Sequence, residues 1–173
     1  EMAYFLVQKA WQANDLGMAR GYLSPELEQA WGAELAPLRS LGFHELWESL
    51  NIQGMEIASA ISNQSEDSIA VTFDAVAARQ LLASDGGFRA GSKQDQRIPE
   101  TWTFTRPAGV QTAEAGGVLA AKCPQCGAAL SLDEAGACGS CGAQLADGSR
   151  DWQLSAVEPP RHALAAPSTA RSA

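Results

Sequence analysis

Clusters of positive charge are missing from this sequence. It carries 12 Lys and Arg against 20 Asp and Glu, which gives a formal net charge of -8, and no stretch is rich in Lys or Arg. Binding to a phosphate backbone depends on clustered basic side chains, so the composition argues against a nucleic-acid partner. An acidic surface is also repelled by anionic lipid headgroups.

Long hydrophobic runs and histidines are also scarce. No apolar stretch approaches the ~20 residues that a membrane-spanning helix needs, and no secretory signal opens the chain. The two histidines, His44 and His162, do not complete a nucleophilic triad with the scattered serines. We therefore predict a protein without catalytic residues that is not an enzyme. Since the chain begins at Glu1 inside an apparent helix, we also expect a segment upstream of it.

Cysteine is absent except within one stretch of nineteen residues. Its two Cys-x-x-Cys pairs are each followed by Gly-Ala, as in a duplicated element. Two residues between thiols let both sulfurs turn toward one point, and four thiolates suit a closed tetrahedral Zn²⁺ site. We predict one structural zinc ion in a zinc ribbon over residues 118–149, with these ligands: Cys123, Cys126, Cys138 and Cys141.

Two other interpretations of the cysteines stay open at this point. A rubredoxin-like iron centre uses the same four ligands. Two disulfides could form in three connectivities, although closely spaced pairs fit disulfide geometry poorly. A chain of 173 residues with 46% hydrophobic content can also build a core without covalent links. Zinc-bound thiolates favour a reducing compartment.

The first third of the chain follows a helical period. Residues 2–20 carry a broad apolar face. A second helix is expected to begin at Ser24-Pro25, because serine suits the N-cap and proline the first helical position. Phe43 to Leu50 has the spacing of a short third helix.

The period then changes to the alternation of half-buried antiparallel strands. It runs through residues 55–61, 69–77 and 98–106, and it returns at 151–157 after the cysteine pairs. The last stretch has no partner inside so small a ribbon, so we predict that it rejoins the main sheet.

Helices followed by an antiparallel sheet indicate an α+β fold. We predict an α+β domain over residues 2–107, completed by a closing strand at 150–158, with the zinc ribbon inserted between them. Residues 159–173 are rich in Pro, Ala and Ser, which is typical of a disordered tail.

Several stretches, in order, resemble one family. They are Tyr-Phe-Leu-Val-Gln-Lys-Ala-Trp at 4–11, Tyr-Leu-Ser-Pro-Glu-Leu at 22–27, Glu-Thr-Trp-Thr-Phe-Thr-Arg at 100–106 and Asp-Trp-Gln-Leu at 151–154. They resemble the Tim44-like domain family, named after the motor-tether subunit of the mitochondrial inner-membrane presequence translocase. The ribbon makes the chain similar to bacterial members of that family.

The resemblance implies a cone-like fold similar to nuclear-transport-factor-two-like domains. In such a fold, N-terminal helices pack on a curved antiparallel sheet around an apolar crevice. The resemblance also implies association with a membrane, here the cytoplasmic face of the bacterial inner membrane through an upstream segment. It implies translocase or chaperone partners, and it carries no catalytic residues.

Six aromatic side chains are candidates for lining such a crevice: Trp11, Trp31, Trp47, Phe73, Trp102 and Phe104. Ordinary core packing is the alternative, and a lipid tail or an apolar peptide is the expected occupant. The sequence therefore predicts a membrane-proximal binding module linked to protein transport. Its expected partner is a membrane lipid or a membrane-associated protein.

Two hypotheses from other classes compete with this one. A small-molecule enzyme on the related cone fold would use a pocket carboxylate, Glu100 or Asp74, as its base. Because Glu100 alternates with apolar neighbours, we expect it to face inward and to form a structural ion pair with Arg79 or Arg106. A transcription-linked ribbon protein is the third hypothesis, and the lack of a basic face counts against it.

Overall fold

The computed structural model describes residues 2–110, 123, 125–129, 137–143 and 152–166. Its elements in chain order are α1 (Met2–Gln12), a 3₁₀ helix (Leu16–Ala19), α2 (Pro25–Ser40), β1 (Phe43–Ser62), β2 (Glu66–Ala83), β3 (Phe88–Gly91), β4 (Gln96–Pro107) and β5 (Gln153–Glu158). Among these described residues, neither helix has the length and apolar character needed to cross a membrane.

The five strands form one curved, open antiparallel sheet in the order β1-β2-β4-β5. The short β3 pairs with the C-terminal end of β2, beyond the part of β2 that pairs with β4. Two helices and an antiparallel sheet confirm the predicted α+β fold class.

The chain returns to this sheet after the cysteine pairs. In β5, Val157 lies opposite Trp102 of β4. The other side of β5 is bonded by the loop before α2, because Ser24 N donates to Leu154 O at 2.9 Å and Leu154 N donates to Tyr22 O at 2.7 Å. Residues beyond the cysteines are therefore part of the same folded unit as the N-terminal helices.

The second helix begins as predicted. Ser24 is the N-cap of α2, its Oγ accepts a hydrogen bond from Leu27 N at 3.2 Å, and Pro25 is the first helical residue. The first helix is shorter than the predicted 2–20. It ends at Gln12, and Asn14 follows with a positive φ of 54° before the 3₁₀ helix starts.

The predicted third helix, Phe43 to Leu50, is wrong, because these residues form the start of β1. Glu45 and Trp47 are buried at alternate positions, and Trp47 lies opposite Arg79 of β2. Eight residues are too few to separate helical spacing from strand alternation. Pairing with the C-terminal half of β2, from Glu48 opposite Ala78 to Phe43 opposite Ala83, decides between them.

Residues 159–166 differ from the expected disordered tail. They form no helix or strand, but Arg161 is buried and its side chain is only 1% exposed. Ala163 and Leu164 also pack against the hydrophobic core. The remainder of the predicted tail, 167–173, lies outside the described residues, as does most of the predicted ribbon.

The core lies between the helices and the sheet. Tyr4 of α1 stacks near Phe73 and Trp102 of the sheet, with ring centroids 4.6 and 4.7 Å apart. Trp11 of α1 meets Trp31 of α2 edge to face at 5.1 Å. The helices therefore close one face of the sheet with aromatic side chains, at the place where a crevice was expected.

Candidate functional site

Four thiols converge in the part of the chain that follows β4. The Sγ atoms of the four cysteines all lie within 4.8 Å of one another. Cys123 Sγ is 3.8 Å from Cys141 Sγ, and Cys126 Sγ is 3.9 Å from Cys138 Sγ. Each close contact therefore joins one cysteine of the first pair to one of the second.

The two pairs have the same backbone geometry. Gly127 N donates to Cys123 O at 2.8 Å, and Gly142 N donates to Cys138 O at 2.7 Å. Both glycines have a positive φ, 70° and 71°, a conformation that side chains disfavour. The Gly that follows each pair in the sequence therefore makes the turn that brings its two sulfurs together.

The sulfur positions fit a tetrahedral metal ion. Zinc–sulfur bonds of about 2.3 Å give sulfur–sulfur separations of about 3.8 Å in a tetrahedron. A disulfide would need about 2.05 Å, and all four cysteines are free. Hydrogen bonds from the backbone amides of Ser140 and Cys141 lower the pKa of Cys138 to about 7. A hydrogen bond from the Ala143 backbone lowers the pKa of Cys141, but burial and the neighbouring thiols outweigh it and raise that pKa to about 12. The first of these two thiols thus becomes a thiolate more readily, and the thiolate is the form that binds metal.

A second site lies in the core, where an arginine is enclosed by tryptophans. Arg161 donates to the Glu100 carboxylate from Nη2 at 2.6 and 2.8 Å and from Nε at 3.2 Å. Its Nη1 donates to Gln8 Oε1 at 2.9 Å. We call the residues around this guanidinium the tryptophan pocket: Gln8, Trp11, Trp31, Trp47, Glu100 and Trp102.

Four of the five tryptophans of the chain surround the guanidinium. Its central carbon lies 5.0 Å from the ring centroid of Trp31, 5.1 Å from Trp47, 5.4 Å from Trp11 and 5.6 Å from Trp102. A cation within ~6 Å of an aromatic face is attracted to it, more strongly where water is excluded. The pocket thus combines a carboxylate with aromatic faces on several sides of one cation.

A second carboxylate lies beside the tryptophan pocket. Glu45 accepts hydrogen bonds from Arg79 Nε at 2.7 Å and from Trp47 Nε1 at 3.0 Å. Leu164 N also donates to Glu45 Oε1, at 2.7 Å. Glu100 is arranged similarly, since Trp102 Nε1 donates to its Oε2 at 2.9 Å. Each carboxylate therefore holds an arginine and orients the tryptophan two residues further on.

The structure brings together most of the six aromatic residues proposed for the crevice. Trp11, Trp31, Trp47 and Trp102 contact Arg161, whereas Phe73 packs on Tyr4 and Trp102, deeper in the core. Phe104 is half-buried beside Trp102, with ring centroids 6.1 Å apart. The crevice is not an open apolar channel in this structure, because an arginine of the same chain fills it.

The inward orientation expected of Glu100 is confirmed, but its expected partners are wrong. Arg79 pairs with Glu45, and Arg106 pairs with Asp67, which lies directly opposite it across β2 and β4. Cross-strand neighbours thus engage both arginines. Glu100 instead forms an ion pair with Arg161, which lies near the C-terminal end of the described residues.

Arg161, Gln8 and Glu45 are the site residues that sequence analysis missed. Glu100 did carry a signal, because a carboxylate on the inward face of a strand needs a cationic partner. Arg161 was overlooked because it stands in a stretch whose Pro and Ala content is typical of a tail. Gln8 and Glu45 gave no signal that separated them from ordinary polar residues.

Neither carboxylate of the enzyme hypothesis is available as a base. Glu100 is engaged by Arg161 and Trp102, as described above. Asp74 pairs with Arg97 at 2.6 Å, and the hydrogen bond from this arginine lowers the pKa of Asp74. The lowered pKa makes Asp74 a weaker proton acceptor.

Comparison with known proteins identifies a family. The model of the family described as Tim44-like domain matches residues 1–117. No curated protein matches the chain. Among solved structures, the fold is similar to the crystal structure of the intermembrane space region of the chloroplast protein ARC6. That similarity has 13% identity and a TM-score of 0.37, and it covers 60% of this chain and 82% of the other.

Proposed function

Because this chain belongs to the Tim44-like domain family, we propose that it is a non-enzymatic binding module that acts beside a membrane and is linked to protein transport. One observation carries the proposal: all six residues of the tryptophan pocket lie within the residues that match the family, 1–117, whereas Arg161 lies outside them. The family-matched residues thus build a recognition pocket, and the residues that follow β5 fill it.

The chemistry of the pocket favours a protein partner over a lipid tail. Glu100 lies at the centre of the pocket and is only 6% exposed. An acyl chain in place of Arg161 would leave this carboxylate against hydrocarbon, and burying an unpaired charge is very unfavourable. A partner with a cationic side chain avoids this cost.

We further propose that the four cysteines hold one structural Zn²⁺ in a ribbon over residues 118–149. Bound there, the ion would supply four metal–thiolate bonds that replace a hydrophobic core in so small a module. The ribbon would be an insertion between the neighbouring strands β4 and β5. In the cell, the module would lie at the cytoplasmic face of the inner membrane.

Photocrosslinking in cells tests the proposed function. A photoreactive amino acid in place of Ala30, which is exposed on α2 and lines the same cavity as Trp31 and Arg161, is expected to give adducts with a protein of the membrane fraction. The control places the same amino acid at Gln64, which is exposed in the turn between β1 and β2. Adducts with lipid alone, or equal adducts from both positions, would contradict the proposal.

A further inference from the structure

We propose that the tryptophan pocket is a binding site for an arginine side chain supplied by an extended segment of a partner protein, and that Arg161 occupies it as an internal substitute. This inference rests on the proposed function and names the chemistry of the ligand. It commits to a peptide with an arginine, rather than to a lysine-bearing peptide or a lipid.

The pocket selects a guanidinium group over an ammonium group. Both carboxylate oxygens of Glu100 accept from Arg161 at 2.8 Å or less, while Gln8 Oε1 accepts from the other terminal nitrogen. Because Nε and Nη2 reach Glu100 while Nη1 reaches Gln8, the donors lie on three separate nitrogens. A guanidinium has this arrangement, and a single ammonium nitrogen lacks it. The same planar group stacks well on the surrounding tryptophan rings.

The other polar contacts of residues 159–166 with the domain use the peptide backbone, except for the exposed contact of His162 with Glu34. Ala163 N donates to Glu34 Oε2 at 3.3 Å, and Leu164 N donates to Glu45 Oε1 at 2.7 Å. The carbonyl of His162 accepts from Arg79 Nη2. Backbone groups of this kind occur in any extended peptide, so a partner segment with one arginine could form the same set.

The pocket also contains a hydrogen-bond donor that Arg161 does not engage. Within the described part of the chain, Trp11 Nε1 is buried and has no hydrogen-bond partner. A buried donor without a partner is costly, and a carbonyl from a longer ligand would satisfy it. Meanwhile Pro159, Pro160 and His162 are exposed, so the segment that carries Arg161 lies at the surface of the domain, and under the proposal the ligand displaces it.

Peptide binding to the full chain tests this inference. The probe is a synthetic peptide with the sequence of residues 159–166, and the readout is tryptophan fluorescence, since four of the five tryptophans contact the guanidinium. We expect saturable binding to the Arg161→Ala variant, and binding to the unmodified chain that is at least about tenfold weaker, because Arg161 competes at high effective concentration. A peptide with lysine in place of the arginine should bind at least about tenfold more weakly, because it loses charge-assisted hydrogen bonds.

Two further variants keep the test decisive. Adding Glu100→Gln to Arg161→Ala should weaken binding of the arginine peptide at least about tenfold, because the charged acceptor is lost. If the alanine variant does not fold, the Arg161→Lys variant replaces it in the binding measurement, because lysine keeps a cation beside Glu100. Equal affinity for the arginine and lysine peptides, or no binding to a folded variant, would overturn the inference.

The two proposals fail in different ways. If position 30 gives adducts with a membrane protein but the arginine peptide does not bind, the arginine ligand is wrong and the proposed function stands. If the peptide binds but position 30 gives no such adducts, the pocket chemistry stands and the proposed function falls.

Discussion

Replacing Arg161 by alanine is expected to lower the free energy of unfolding by about 3–5 kcal/mol, since removing one partner of a buried ion pair leaves the other charge uncompensated. The uncompensated charge is Glu100, which lies between the helices and the sheet and is only 6% exposed. The change also removes the cation from four tryptophan faces. Urea unfolding, followed by tryptophan fluorescence and by far-ultraviolet circular dichroism, measures the loss.

Arg97→Ala is the matched control for this prediction. Arg97 also forms two hydrogen bonds with a carboxylate, but its side chain is 72% exposed. An exposed pair is screened by water and contributes little to stability, so this variant should unfold at nearly the urea concentration of the unmodified chain. If the two variants lost the same stability, Arg161 would not be buried with Glu100.

Cys126→Ser is expected to abolish stoichiometric metal binding, because three thiolates and a hydroxyl do not form the closed site that zinc prefers. Elemental analysis of protein purified without chelator measures this and separates zinc from iron. The sheet domain should stay folded, because its aromatic core contains none of the four cysteines. Near-ultraviolet circular dichroism of the tryptophans reports on that core.

Ser140→Ala is the control for the cysteine variant. Ser140 lies in the second cysteine pair, and it acts on Cys138 through its backbone amide, which alanine retains. This variant should therefore keep its metal. If Cys126→Ser kept a full complement of metal, the four-ligand site would be wrong. If it lost the whole fold, the ribbon would not be an independent insertion.

Patterns that lie within one element predicted the fold well. Serine followed by proline marked the start of α2, since both residues act within one helical turn. Alternation marked the regions of β2, β4 and β5, because a strand with one buried face repeats every two residues. The α+β fold class follows from these local signals.

Features that depend on pairing between strands were not predicted. Phe43 to Leu50 suited a helix or a strand, and pairing with β2 decided the outcome. The short β3 stands in a turn-rich connection, and only its pairing with β2 makes it a strand. No local pattern contains these pairings, so periodicity could not reveal them.

The candidate site also combines residues that local sequence patterns predicted with one residue, Arg161, that they did not. The four tryptophans were selected from their periodic positions on helices and strands, and the cysteines from their spacing. Arg161 completes the pocket from 61 residues beyond Glu100, within a stretch whose composition is typical of disorder. A single buried arginine changes the composition of such a stretch very little, so composition could not identify it.

A double-mutant cycle between Glu100 and Arg161 tests most directly whether this arginine fills the pocket. The cycle compares Glu100→Gln, Arg161→Gln and the double variant by urea unfolding, and its coupling term isolates the interaction between the two side chains. We predict a coupling of at least about 2 kcal/mol, in line with a buried, hydrogen-bonded pair. A coupling within about 0.5 kcal/mol of zero, the range found for independent sites, would contradict the account.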